Sequence, residues 1–252
     1  MLTNPTLEQL RSLRLHGMAD AYAEQTGSRE AQALSFDERL GLLVDRERSE
    51  RESRKLSRRL RSARLKLSAS FEDLDYAPAR GLDKSQIRSL ARCTWIREHQ
   101  NVLIVGATGT GKTYLACSFA HKACLEGFTA RYERLSRLLE AVQLARLDGT
   151  YPKLIAALAK TDVLVLDDWG LAPVTGPARN DLLEILDDRH GHRSTIVTSQ
   201  LPVADWHGTV GDATLADAIL DRLVHNAHRI TLKGDSMRRK RSGLTESGHP
   251  SS

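Results

Sequence analysis

Residues 101–113 read NVLIVGATGTGKT. Val102, Leu103, Ile104 and Val105 are an uninterrupted apolar run of the kind a strand shows when both its faces are covered. Gly106-Ala107-Thr108-Gly109-Thr110-Gly111-Lys112-Thr113 then fits G-x-x-x-x-G-K-[ST], a phosphate-binding loop between a strand and a helix. Each residue type has a physical reason to be there. Glycines at 106, 109 and 111 let backbone N–H groups turn inward where side chains would collide with a phosphate chain. The helix opening near Lys112 points its positive end at the same spot. Lys112 offers a mobile cation for terminal phosphates, and Thr113 a hydroxyl for Mg²⁺. The stretch predicts nucleotide binding.

Around this core, 252 residues with 40% hydrophobic and 27% charged side chains describe an ordinary globular composition with room for one large or two modest domains. No apolar run approaches the roughly 20 residues of a membrane span. The opening MLTNPTLEQL has no charged-then-apolar signal pattern. Cys93, Cys117 and Cys124 have neither metal-ligand nor redox spacing; Cys117 and Cys124, seven apart on one helix, are expected to pack in a core, in a reducing, cytoplasmic setting. The net charge of +5 points to an anionic partner only if it is concentrated somewhere.

It is concentrated. Residues 1–75 carry helical patterns and no strand pattern. Asn4-Pro5 is a helix start, and Ser35-Phe36-Asp37-Glu38 has capping-box spacing. The helix opened there is expected to run to about Leu67. From Arg54 onward its acids disappear: Arg54, Lys55, Arg58, Arg59, Arg61, Arg64 and Lys66 follow with none between. A solvated face explains most charge runs. The missing counter-charges favour a surface that tracks phosphates, salt-sensitive and largely indifferent to base sequence. Residues 71–100 form a junction expected on the adenine side of the nucleotide pocket.

Beyond the loop, strand and helix patterns alternate, which implies an α/β fold with a parallel sheet covered on both faces. Val163–Leu166 is a strand ending in Asp167-Asp168, and such a carboxyl end lies where open α/β sheets bind ligands. Asp167 is then the residue to hold Mg²⁺ and Asp168 the one to orient or deprotonate an attacking water. Ser194–Gln200 is a further buried strand whose Thr198, Ser199 or Gln200 could meet the γ-phosphate or the water, or simply finish the strand. Arg222 sits on a terminal helix, placed to reach a neighbouring subunit's nucleotide or to pair with Asp217 or Asp221. Arg238, Arg239, Lys240 and Arg241 form a second basic cluster, and residues 242–252 read as a disordered tail.

Specific stretches extend this reading: LRLHGMADAY, LSFDERLGLLVDRE, LVLDDWGLAP, TSQLPVADWHGTVGD and ILDRLVHNAHRI. With them the chain resembles the IstB-type ATP-binding proteins of bacterial insertion sequences, relatives of the DnaC-like helicase loaders in the AAA+ group. The resemblance implies a P-loop NTPase domain over residues 76–241, with a three-layer parallel sheet, and a small all-helical domain over 1–75 for DNA engagement and assembly. It implies a cytoplasmic, Mg²⁺-dependent ATPase that forms homo-oligomers on double-stranded DNA, selects target DNA and activates a DDE-type transposase. Arg222 would be the arginine finger and Gln200 a sensor. The acid pair departs from the broader group, where Asp-Glu is usual. The shorter Asp168 implies slow hydrolysis, dependent on DNA or a partner. Two other readings stand beside this one: a helicase-loader-like adaptor switched by ATP, and a phosphotransferase, which the acid pair and Arg222 suit less well.

Overall fold

Asn4 begins the first helix as its type and position predict, its side-chain oxygen accepting from the Thr6 N–H at 3.1 Å. In the computed structural model, which describes residues 4–237, this helix, α1 (Pro5–Ser12), is separate from α2 (His16–Gly27). Arg14 between them holds a φ of +60°, a break that no Gly or Pro announces. After a single turn, α3 (Arg29–Gln32), comes α4 (Phe36–Ala63). The capping box forms as its spacing predicts: Ser35 N–H donates to Glu38 Oε2 at 2.8 Å, and Glu38 N–H to Ser35 Oγ at 3.3 Å. Gly17 of α2 permits close approach to α4, since a Cβ there would meet the Arg46 carbonyl oxygen at 2.8 Å. At the same crossing the buried Glu47 carboxylate is satisfied by Met18 N–H (3.2 Å) and Arg51 Nε (2.6 Å). Contacts divide the chain into two units, residues 1–59 and 60–252, with the boundary inside α4.

α4 stops at Ala63, short of the expected Leu67, because Arg64 turns to a φ of +49°. A similar turn at Cys93, φ +59°, separates α5 (Lys84–Leu90) from α6 (Thr94–Arg97). A left-handed conformation costs a non-glycine residue about 1–2 kcal/mol, so each is held by its surroundings: Ala63 is fully buried, and Cys93 is 1% exposed.

The second unit is built on five parallel strands: β1 (Asn101–Gly106), β2 (Ala130–Arg134), β3 (Val163–Trp169), β4 (Ser194–Ser199) and β5 (Ala227–Leu232). Their order across the sheet is β2-β3-β4-β1-β5. α7 (Lys112–Leu125) packs on β1 to β4, and Phe119 on it meets the Trp95 and Phe71 rings edge-on at 6.3 and 5.0 Å. α8 (Leu135–Asp148), α9 (Tyr151–Lys160), α10 (Ala178–Asp187), α11 (Trp206–Val210) and α12 (Ala213–Val224) complete the helices. They bury one contiguous core against Leu103, Leu164, Leu166 and Val197, in which the Trp169 and Trp206 rings are tilted by 30° with centroids 5.1 Å apart. Cys117 and Cys124 lie in the interior as expected. Among the described residues no helix is long and apolar enough to cross a membrane. The second basic cluster, Arg238 to Arg241, and the tail lie outside the described residues.

The strand order decides where a ligand can sit. From β1 the chain crosses to the far edge at β2, returns through β3 and β4, and then places β5 on the other side of β1. The order therefore reverses beside β1, and crevices for ligands open at such switch points, outside the carboxyl ends of the strands.

Candidate functional site

The glycine-rich loop leaves the carboxyl end of β1 at that switch point. Two glycines are required by contact. At Gly106, φ +156°, a Cβ would meet the Leu232 carbonyl oxygen at 2.5 Å; at Gly109, φ +84°, it would meet Ser236 Oγ at 2.2 Å. The chain beyond β5 thus lies on the loop, and Met237 N–H donates to the Gly109 carbonyl at 2.9 Å. From below, the buried Arg80 guanidinium donates to the carbonyls of Thr110 and Asp75, both at 2.8 Å. Lys112, 7% exposed, folds its ammonium onto the carbonyls of Gly106 (2.7 Å) and Ala107 (2.8 Å). Thr108 Oγ1 donates to Gln200 Oε1 at 2.7 Å, joining the loop to the end of β4.

β4 separates β1 from β3, yet the acids of β3 reach the loop. Asp167 is fully buried, and Thr113 Oγ1 lies 3.0 and 3.1 Å from its two carboxylate oxygens. Thr198 Oγ1 donates to Oδ1 at 2.6 Å, Tyr132 OH to Oδ2 at 2.5 Å, and the Lys66 ammonium stands 3.5 Å from Oδ2. Burial first, and then the bond to this carboxylate, push the Tyr132 phenol well above its ordinary pKa. A carboxylate and a threonine hydroxyl converging in this way are hard oxygen donors of the type that hold Mg²⁺. Among the described residues no group of three or more His, Cys, Asp or Glu side chains could hold a metal alone. An ion here would need phosphate or water oxygens to complete its shell.

Asp168 is placed by a backbone irregularity. The β3–β4 register shifts between Leu166 and Trp169, and Asp168 takes a φ of +66°. Its N–H donates to Thr198 Oγ1 at 3.2 Å, and its carboxylate turns toward the sheet edge, where Arg134 Nε approaches to 3.1 Å. A cavity of about 350 Å³ joins these groups, lined among others by Lys112, Thr113, Arg134, Asp168, Gln200 and Lys66. Asp73, Leu74, Asp75 and Arg80 line it too, so the junction segment reaches the pocket.

Of the expected site residues, Lys112, Thr113, Asp167, Asp168 and Gln200 come together with the loop. Thr198 and Ser199 finish the strand: Thr198 is spent on Asp167, and Ser199 Oγ donates to the Trp169 carbonyl at 2.9 Å. Arg222 is elsewhere. Its carbonyl accepts from Asn101 Nδ2 at 3.0 Å, at the opposite, amino end of β1, roughly 16 Å of strand away from the loop. Its guanidinium pairs with Asp187 (3.0 Å) and Asp221 (3.5 Å).

The basic run also divides. Arg54, Lys55, Arg58, Arg61 and Arg64 are exposed and Arg59 half-buried; Arg54 pairs one turn back with Glu50 at 2.8 Å. Lys66 does not continue that run. The helix has ended, and its ammonium, with a side chain one-third exposed, faces the nucleotide cavity and Asp167, apart from the arginines with which it was grouped. Sequence reasoning also missed Tyr132, Arg134 and Arg80. The first two had a signal: ARYER, like the other edge strand AHRITL, lacks an apolar run, as suits a strand at the edge of the sheet. Arg80 had none.

A sequence model of the IstB-like ATP binding proteins matches residues 8–245. A Sinorhizobium fredii protein described as an insertion sequence ATP-binding protein is 52% identical over 239 residues, 95% of this chain and 98% of that one. The ATP-binding protein of insertion sequence IS21 from Pseudomonas aeruginosa is 31% identical, covering 97% and 92% of the two chains. Among solved structures, DnaI superposes with a TM-score of 0.57 at 20% identity, over 66% of this chain and 92% of that one. The AMPPCP-bound DnaA of Aquifex aeolicus does so at 0.57 and 18% identity, over 70% and 54%. These two likenesses concern the fold alone.

Proposed function

Because the chain belongs to the family of IstB-like ATP-binding proteins, we propose that it is a DNA-dependent ATPase that assembles on duplex DNA. In this reading it selects target DNA and activates the transposase of its insertion sequence. The observation that carries the reading is the pairing of Thr113 with Asp167 beside the Lys112 loop, three groups whose chemistry together fits a metal-bound polyphosphate.

The backbone of residues 106–111 cradles the phosphates, and Lys112 leaves the loop carbonyls for the stronger acceptors of a triphosphate. Thr113 and Asp167 hold Mg²⁺, which when bound neutralises phosphate charge. Asp168 orients the attacking water, and Gln200, already bonded to Thr108, faces the terminal phosphate. Arg222, too far from its own loop, acts on the nucleotide of an adjacent subunit. The exposed guanidiniums of Arg54, Arg58, Arg61 and Arg64, with Lys55 and Arg59, contact DNA phosphates without reading bases.

The test is ATP turnover with and without plain duplex DNA, at low and high salt, in the wild type and with Arg54, Arg58 and Arg61 changed to Glu. Stimulation that disappears with salt and in the triple variant is expected. Turnover indifferent to DNA but raised by a helicase would replace this reading with a loader-type adaptor.

A further inference from the structure

Arg61, Ser62 and Arg64 line a cleft of about 390 Å³ together with Arg131 of β2. Arg131 is tethered along its own strand, Nη2 to Glu133 Oε1 at 2.7 Å. Three guanidiniums and one adjoining carboxylate leave an excess of positive charge around a single open space. Such forks match phosphate oxygens in pairs. Like charges repel, so a fold that gathers them in one place favours an anion there. The backbone that carries two of them is set by the fold: buried Ala63 anchors the end of α4, and the left-handed Arg64 sets the turn.

Both walls of the cleft lead directly to the buried carboxylate of the nucleotide site. Two residues past Arg64, Lys66 places its ammonium 3.5 Å from Asp167 Oδ2. One residue past Arg131, Tyr132 donates to that same oxygen. In this arrangement Lys66 neutralises the oxygen that a magnesium ion would need.

We propose that the cleft of Arg61, Arg64 and Arg131 binds a backbone phosphate of duplex DNA, and that its occupancy withdraws Lys66 from Asp167 and opens the site to the magnesium nucleotide. The proposal rests on the DNA-binding reading above and adds its point of entry. Linkage then requires reciprocity: DNA tightens the nucleotide, and the nucleotide tightens DNA by the same factor.

The test measures the affinity of the full chain for a fluorescent, non-hydrolysed ATP analogue with Mg²⁺, alone, with duplex DNA and with inorganic pyrophosphate. DNA affinity is followed against salt in parallel. In the wild type, DNA should tighten the analogue by at least about fivefold, and pyrophosphate should not. Arg64→Gln and Arg131→Gln should each lower the salt slope of DNA binding by about 0.9 and lose most of the tightening, with unchanged analogue affinity in the absence of DNA. Lys66→Gln should bind the magnesium analogue more tightly without DNA and gain little from it.

Unchanged salt slopes in both arginine variants overturn the site, and tightening by pyrophosphate alone overturns its assignment to nucleic acid. A Lys66→Gln protein that binds the analogue more weakly, or keeps the full DNA effect, overturns the link to Asp167. A wild type that binds the analogue but no DNA overturns the underlying reading itself, a result distinct from all of these.

Discussion

Arg134 Nε lies 3.1 Å from Asp168 Oδ2, joining the carboxyl ends of the adjacent strands β2 and β3. The pair exists because of two local departures from regular structure: a polar edge strand, and the positive φ that swings Asp168 out of the β3 ladder. A carboxylate that must orient water is here engaged by a guanidinium.

Releasing it should therefore raise turnover. The two side chains are 36% and 21% exposed, so solvent screening limits the pair to about 1 kcal/mol, or roughly fivefold in rate. Arg134→Ala is expected to raise ATP turnover without DNA by up to about that factor, at unchanged nucleotide affinity. Steady-state kinetics with a parallel binding titration checks this. Slower turnover with weaker binding would make Arg134 a phosphate ligand instead.

Lys112→Ala should all but abolish nucleotide binding. A charge-assisted hydrogen bond is worth about 1.5–3 kcal/mol, and the ammonium can make more than one to a triphosphate, so a loss of at least about 100-fold is expected by titration. Because the same ammonium ties down the carbonyls of Gly106 and Ala107, the melting temperature should fall slightly too. Normal affinity in a folded Lys112→Ala protein would remove the loop from the site.

Much of this was legible from residue types alone. The apolar run 102–105, the glycine spacing, and an apolar strand ending in two acids place Lys112, Thr113, Asp167 and Asp168 together, because each pattern has one physical use. What stayed hidden depended on tertiary context. Arg14, Arg64 and Cys93 hold positive φ without being glycine, so helix ends at those points leave no mark in composition. Lys66 stands in an unbroken basic run, and only the turn at Arg64 separates it from its neighbours. Thr198 and Gln200 are nearly interchangeable by position, but β4 buries one against Asp167 and exposes the other.

Arg80 is expected to matter for the shape of the loop. It is 7% exposed and serves two backbone carbonyls, those of Thr110 and Asp75. Arg80→Ala leaves both without this donor and opens space beneath Gly111. At about 1–3 kcal/mol for an unsatisfied buried group, the melting temperature should fall by roughly 3–9 °C for a chain of this size. Differential scanning calorimetry with and without nucleotide checks the size of the drop. A melting temperature within a degree of wild type would show that the loop holds its shape unaided.

Arg222 and Asp168 test whether the site is completed by a second copy of the chain. Within one chain they cannot meet: Arg222 is fixed at the amino end of β1 by Asn101, and Asp168 sits at the carboxyl end of β3. Arg222→Ala should keep nucleotide affinity and lose turnover by about 10²-fold or more, the scale expected when a charge acts on the transition state. Asp168→Asn should behave likewise, through loss of the water-orienting carboxylate. Mixed in equal amounts with ATP and duplex DNA, the two inactive proteins form some interfaces that pair an intact Asp168 with an intact Arg222 from the neighbour. Turnover should then recover to roughly a quarter of wild type if subunits mix at random and each interface works independently. Retained activity in Arg222→Ala alone would return that side chain to its surface pairing with Asp187 and Asp221. A mixture that forms mixed oligomers by mass and still shows no turnover would exclude action between subunits.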